Sequence, residues 1–273
     1  MREKISSKTL TVIIIGLVAV LIFAMAVPAF AASGESSGVT GAFQGIKDEV
    51  YSVLIKDGNY KHITNGLLVT IEITFVALII GVAIGFLVAI VRSTYDKTGK
   101  LFLLNLICKL YLTVVRGTPV IVQLLIIYYL WLGKPEIGLT PDVTAMIAFG
   151  INSGAYVAEI VRSGIMSIDN GQFEAGRSLG FSYTKTMVYI IMPQAFKNVL
   201  PALANEFIVL LKETSVASFI AVKDMMKGAN ALVGFTYNMN VPYITVALIY
   251  LVLVLLLQKG VTLIERRLRN SDH

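Results

Sequence analysis

Apolar runs of about 20 residues, the length needed to cross a bilayer core as a helix, recur along this chain. The first covers residues 10–28, is uncharged, and follows Arg2, Lys4 and Lys8. It ends in Ala29-Phe30-Ala31, a small-residue pattern like a signal-peptidase site. Residues 1–31 therefore read as a signal peptide or a retained anchor helix, and either outcome leaves the next segment outside the cytoplasm. Residues 32–65 are Gly/Ser-rich and then mildly amphipathic through Ile46, Val50, Val53 and Leu54. They predict an external tail and a helix lying on the membrane surface. Residues 66–91 form the clearest span, with Glu72 its one charge, and 92–100 predict a short polar loop. The 33 residues of 101–133 would reach about 50 Å as one helix, too long for a perpendicular crossing. Arg116-Gly117-Thr118-Pro119 marks the expected bend. Further spans are predicted at 142–160, 198–220 and 241–261, with a polar-amphipathic loop over 162–193.

Composition supports the membrane reading. Of 273 residues, 56% are hydrophobic and 15% charged, with a mean hydropathy of +0.77. A soluble surface needs roughly a quarter charged residues, so a water-soluble enzyme and a disordered chain both fit poorly. One cysteine (Cys108) and two histidines (His62, His273) exclude a disulfide framework and a Cys/His metal centre. The net charge of +6 is a topology signal and not a nucleic-acid footprint. With six alternating segments and the N-terminus inside, fifteen of the 23 lysines and arginines fall on the cytoplasmic side and six outside. The positive-inside rule favours this orientation, with anionic lipid as the main electrostatic partner.

The chain has no phosphate-binding G-x-x-x-x-G-K-[ST] loop, no H-E-x-x-H and no G-x-S-x-G. It is expected not to be an enzyme. A transporter subunit, a channel or carrier, and a receptor or scaffold remain.

The segment 167–193 is polar and carries helix signals. Asp169 and Gln172 have capping-box spacing, Gly180 can end a helix left-handed, and Ser182 can cap the next. A short helix on a glycine turn suits another protein's groove; a solvated connector is the plainer reading. Glu174-Ala175-Gly176, then Gly180, Ile190 and Met192-Pro193 resemble the EAA signature of ABC importer permeases. Gly176 replaces the alanine at its third position and Met192 its leucine. The resemblance extends over 57–269. Arg116-Gly117-Thr118-Pro119 with Gln123, the stretch Ser153-Gly154-Ala155-Tyr156-Val157-Ala158-Glu159-Ile160, and Leu210-Leu211-Lys212-Glu213-Thr214-Ser215 are similar to the polar amino acid uptake branch.

That resemblance implies an all-α integral membrane protein with the type I importer fold. A five-helix core at 66–264 would have its N-terminus outside, with a cytoplasmic tail at 265–273. It further implies a bacterial cytoplasmic (inner) membrane location and two permease subunits, identical or related, around one pathway. A cytoplasmic ATPase dimer would bind the ATP, leaving this chain without a cofactor. An extracellular or periplasmic binding protein would deliver a polar amino acid. Glu174, Ala175, Gly176, Arg177 and Gly180 would couple to the ATPase.

Ionisable residues within spans normally face a bundle interior, a cavity or a partner; here they are Glu72, Arg116, Glu159, Glu206, Lys212 and Glu213. Glu206, Val209, Leu210 and Glu213 share a helical face, as do Asn152, Ser153 and Tyr156. Glu206, Asn152, Ser153, Gln123 and Arg116 could together bind an ammonium and a carboxylate. Helix-to-helix hydrogen bonding is the structural alternative. Tyr128, Tyr129 and Trp131 read as an aromatic belt, and Cys108 as an apolar filler. The rival function is an autonomous channel or secondary carrier for small polar solutes. Such carriers often show internal repeats with paired broken helices, and none is evident here.

Overall fold

The computed structural model describes residues 39–270. The signal-or-anchor expectation for 1–31 lies outside the described residues. Among them the elements are helices, joined by turns. They are α1 (Val39–Val50), α2 (Tyr60–Thr98), α3 (Phe102–Gly117), α4 (Val120–Ile126), α5 (Pro141–Met166), α6 (Asn170–Ser178), α7 (Tyr183–Thr186), α8 (Met192–Glu213), α9 (Met225–Thr236) and α10 (Asn240–Asn270). A π-helical turn extends α4 over Ile127–Leu132, and another, Met187–Ile191, joins α7 to α8. The second lies just before Pro193, which has no N–H to give the helical ladder.

Among the described residues, four helical stretches are long and apolar enough to cross a membrane: Tyr60–Thr98, Pro141–Met166, Tyr183–Ile220 and Asn240–Leu268. The pair Phe102–Gly117 and Val120–Leu132, bent by 109°, makes a fifth if counted as one span. The bend falls at Thr118 and Pro119, both extended in backbone. Several boundaries differ from the sequence reading: α5 runs on to Met166, α10 runs on to Asn270, and both ends of α2 extend beyond the expected span. Residues 92–98, expected as a loop, are the last turns of α2. They contain no glycine or proline, and the helix stops at Gly99, where φ is +68° and the amide donates to Tyr95 O at 2.8 Å. At the other end, residues 60–65 already belong to α2.

The chain divides into two compact units. In the first, Val53, Leu54, Ile63, Met225, Ala229, Leu232, Val241 and Val246 form the core. Helix α9 packs directly on the first turns of α2: a Cβ at Gly228 would strike His62 O, and one at Gly66 would strike Asp224 O.

In the second unit, α5 is the central helix, with Phe149, Ala155 and Val157 fully buried. Paired glycines bring α2 and α5 together. A Cβ at Gly81 would lie 2.9 Å from Ser153 Cβ, and one at Gly85 would lie 2.5 Å from Val157 Cγ1. Reciprocally, a Cβ at Gly150 would lie 2.6 Å from Ile80 Cγ2. Small residues four apart on both helices permit this close approach, the usual solution where lipid supplies no hydrophobic drive between helices. Helix α8 packs on α5 at Gly164, which faces Val199. The start of α5 is set by Thr140, whose side chain accepts from Val143 N at 3.3 Å, and by Pro141 in the first turn.

Candidate functional site

The close α2–α5 contact leaves one face of α5 to polar partners. Ser153 Oγ donates to Glu206 Oε1 at 2.8 Å, joining α5 to α8. One residue earlier, Asn152 Nδ2 donates to Gln123 Oε1 at 3.0 Å, joining α5 to α4. Gln123 Nε2 in turn caps the α3–α4 break, donating to Val115 O at 2.7 Å, Thr118 O at 3.0 Å and Thr118 Oγ1 at 2.8 Å. Ser153 is fully buried, Asn152 is 2% exposed and Glu206 8%. Four of the five residues singled out for the pathway thus form two hydrogen-bonded pairs on adjacent positions of α5. Gln123 also holds the bend at Pro119, because its amide supplies donors for carbonyls that the broken helix leaves without partners.

Arg116, the fifth, belongs to a different group. Its Nη1 lies 3.7 Å from Glu159 Oε2, and its guanidinium carbon is 5.8 Å from the Tyr156 ring centroid. Arg162 Nη2 donates to Glu159 Oε1 at 2.6 Å, and Arg92 Nη1 is 3.9 Å from Oε2. One carboxylate therefore serves three guanidiniums. Glu72 and Lys212 are exposed. Val209 is also exposed, although Glu206 and Leu210 on the same helix are buried.

Between α5 and α8 the chain forms the short helix α6. Asp169 is its cap, with Oδ1 accepting from Gly171 N at 2.6 Å. The reciprocal half of a capping box is replaced: Gln172 Oε1 accepts from Gln194 Nε2 at 3.3 Å. Gly180, with φ of +77°, ends the helix, and Phe181 N donates to Gly176 O at 3.0 Å. Ser182 Oγ caps α7 through Lys185 N at 3.4 Å. Glu174, Ala175 and Arg177 are exposed, while Gly176 is buried against α7 and the turn leading to α8. A Cβ there would lie 2.6 Å from Thr186 Cγ2 and 3.2 Å from Ile190 Cδ1. The outer face of α6 is thereby free, and its inner face bears directly on the helix running into α8.

Several contributors escape the sequence reading. Lys97, at the end of α2, donates to Asn170 Oδ1 at 3.1 Å and sits 4.7 Å from the Phe173 ring centroid. Phe173 is stacked on Tyr183 with centroids 6.5 Å apart. These contacts hold α6 to α2, and were hidden because 92–98 read as a loop. Asp224 was also passed over. It is fully buried, caps α9 through Lys227 N at 2.8 Å, and its burial pushes the carboxyl up to about 6.

The second unit thus combines a broken helix pair, two buried polar pairs and a short helix closed by a glycine turn, features that suit a membrane transport protein. Residues 81–270 match the family of binding-protein-dependent transport system inner membrane components, and the chain belongs to that family, the membrane permeases of ABC importers. It is 40% identical to the arginine transport system permease protein ArtQ of Bacillus subtilis (strain 168), over 77% of this chain and 94% of that protein. It is 39% identical to the putative glutamine transport system permease protein GlnP of Rickettsia bellii (strain RML369-C), over 76% and 92%. To the L-cystine permease protein TcyB of Bacillus subtilis (strain 168) it is 36% identical, over 79% and 90%. Among solved structures, an amino acid ABC transporter crystallised with histidines superposes with a TM-score of 0.69 at 41% identity, covering 76% of this chain and 94% of that one. The inward-facing MetNI methionine ABC transporter gives a TM-score of 0.67 at 19% identity, covering 78% and 99%, and shares the fold. The fold is that of type I ABC importer permeases.

Proposed function

We propose that this chain is the membrane subunit of an ATP-driven importer for a polar amino acid. In this reading, α6 docks on a cytoplasmic ATPase dimer and the C-terminus of α10 lies in the cytoplasm of a bacterial inner membrane. A second permease subunit, identical or related, completes the pathway, and a binding protein delivers the amino acid from outside. The observation that carries the reading is the placement of α6. Its exposed face offers Glu174, Ala175 and Arg177, and its buried face presses Gly176 onto Thr186 and Ile190. A push on α6 from closing ATPases passes through α7 and the π-helical turn at Met187–Ile191 into α8, the helix that bears Glu206.

The substrate class rests on the relatives named for arginine, glutamine and cystine transport, and on the polar pairs at Asn152 and Ser153. Opening the Ser153–Glu206 and Asn152–Gln123 hydrogen bonds exposes a carboxylate for an ammonium and amides for a carboxylate. Co-purification tests the reading. An ATPase subunit should copurify with the full chain from native membranes and crosslink to a cysteine placed at Ala175. Recovery of the chain with no ATPase, under conditions that preserve the complex, refutes it.

A further inference from the structure

We propose that the second unit carries a binding site for the headgroup of an anionic phospholipid, formed by Arg92, Lys109 and Arg116. These three cations, with Leu112, Thr113 and Gly117, line an open depression of about 440 Å³ between the end of α2 and the flank of α3. Local charge does not balance. Arg92, Arg116 and Arg162 share the one carboxylate of Glu159, and Asp96 lies near Arg162. Lys109 has no carboxylate within ion-pair distance among the described residues; its Nζ lies 5.9 Å from the Tyr95 ring centroid. Four cations thus face two anions, and Arg92 Nε is buried without a hydrogen-bond partner.

Excess positive charge beside a low-dielectric slab is costly until an anion joins it. The surroundings specify the kind of anion. Lys109, Thr113 and Arg116 recur at i, i+4 and i+7 along one stripe of α3. The adjoining stripe, Leu103, Ile107, Leu110 and Val114, is apolar and exposed. A phosphodiester in the depression would place its acyl chains along that stripe, satisfying both surfaces with one molecule. Basic pockets between membrane helices take anionic headgroups by this combination.

Native mass spectrometry of the full chain in neutral detergent tests the proposal. The chain is titrated with phosphatidylglycerol, with phosphatidylcholine of equal chain length, and with inorganic phosphate. Phosphatidylglycerol should bind at least several-fold more tightly than phosphatidylcholine. Lys109→Gln should weaken it about fivefold, and Lys109→Arg should restore it. Lys109 is exposed on α3, so its loss leaves packing intact, and Lys134→Gln, on an exposed turn that does not line the depression, serves as the neutral control. Equal binding of the two lipids, or no response to Lys109→Gln, overturns the proposal. Displacement of the lipid by millimolar inorganic phosphate also overturns it, by showing that the site selects a free anion.

Discussion

Gly176 stands where the related signature has alanine, and restoring that alanine should damage this protein. Two effects oppose each other. Alanine inside a helix is favoured over glycine by about 1 kcal/mol. Against that, the new methyl would lie 2.6 Å from Thr186 Cγ2 and 2.7 Å from Thr186 Oγ1. Thr186 is β-branched and 1% exposed, so it has few rotamers and little space to move into. Overpacking of this kind costs about 1–3 kcal/mol, and contacts this short against a buried, stiff neighbour belong at the upper end. Gly176→Ala should therefore destabilise the α6–α7 contact by a net 1–2 kcal/mol or so. In a Thr186→Ala background the two nearest atoms are gone and the remaining close neighbour is Ile190 Cδ1 at 3.2 Å, the far end of a flexible side chain, so the same substitution should become neutral or stabilising through helix propensity. The assay is thermal unfolding of the four proteins of this cycle, alongside ATPase co-purification. A coupling energy near zero, or Gly176→Ala matching the parent chain in both readouts, would refute the packing argument.

Four further outcomes follow from the same geometry. Gly180→Asp places a side chain at φ +77° in open space; it should cost about 1 kcal/mol, leave abundance near normal, and weaken ATPase association in a quantitative pull-down, whereas normal association would make the 167–193 segment a connector. Glu206→Gln should keep the Ser153 hydrogen bond and remove the charge, lowering uptake or changing selectivity while assembly persists; unchanged uptake kinetics would make Glu206 structural. The raised Asp224 carboxyl favours its protonated form in the fold, so its contribution to α9 stability should be full below about pH 4, fade as pH rises, and be lost above about pH 6; hydrogen exchange of α9 amides reads this, and Asp224→Asn should flatten the profile. With Cys108 removed, cysteines at Lys134 and Lys227 should react with an impermeant thiol reagent from outside and one at Ser182 should not, and labelling of Ser182 in sealed cells would reverse the proposed orientation.

The membrane class and helical fold were legible because a bilayer demands long apolar runs, which a sequence displays directly. The break at Arg116–Pro119 was also visible, since glycine and proline punctuate a helix by local sterics alone. What one chain direction cannot display is how helices are rotated about their axes. Periodicity put Ser153 and Glu206 on polar faces, but only packing through Gly81, Gly85 and Gly164 aims them at each other. The same limitation hid the separation of Arg116 from Glu206: its long side chain turns toward Glu159 and Tyr156 instead. Reading 92–98 as a loop obscured Arg92 and Lys97, because a polar run at the end of a span resembles a connector until Gly99 is taken as the stop. Helix α9 went unread because its twelve residues fall short of a span. Its signal was present in the Asp224 cap followed by Met225, Ala229 and Leu232 at helical spacing.

Reconstitution of transport tests the central claim most directly. The full chain, its copurifying ATPase and the cognate binding protein are placed in sealed proteoliposomes with ATP on the ATPase side. Uptake of radiolabelled arginine, glutamine and cystine is then followed. Accumulation of one of them should require ATP, the binding protein and an intact α6, and should fall sharply with Gly180→Asp. Uptake by this chain alone, without ATP or partners, would contradict the account and identify an autonomous channel or carrier.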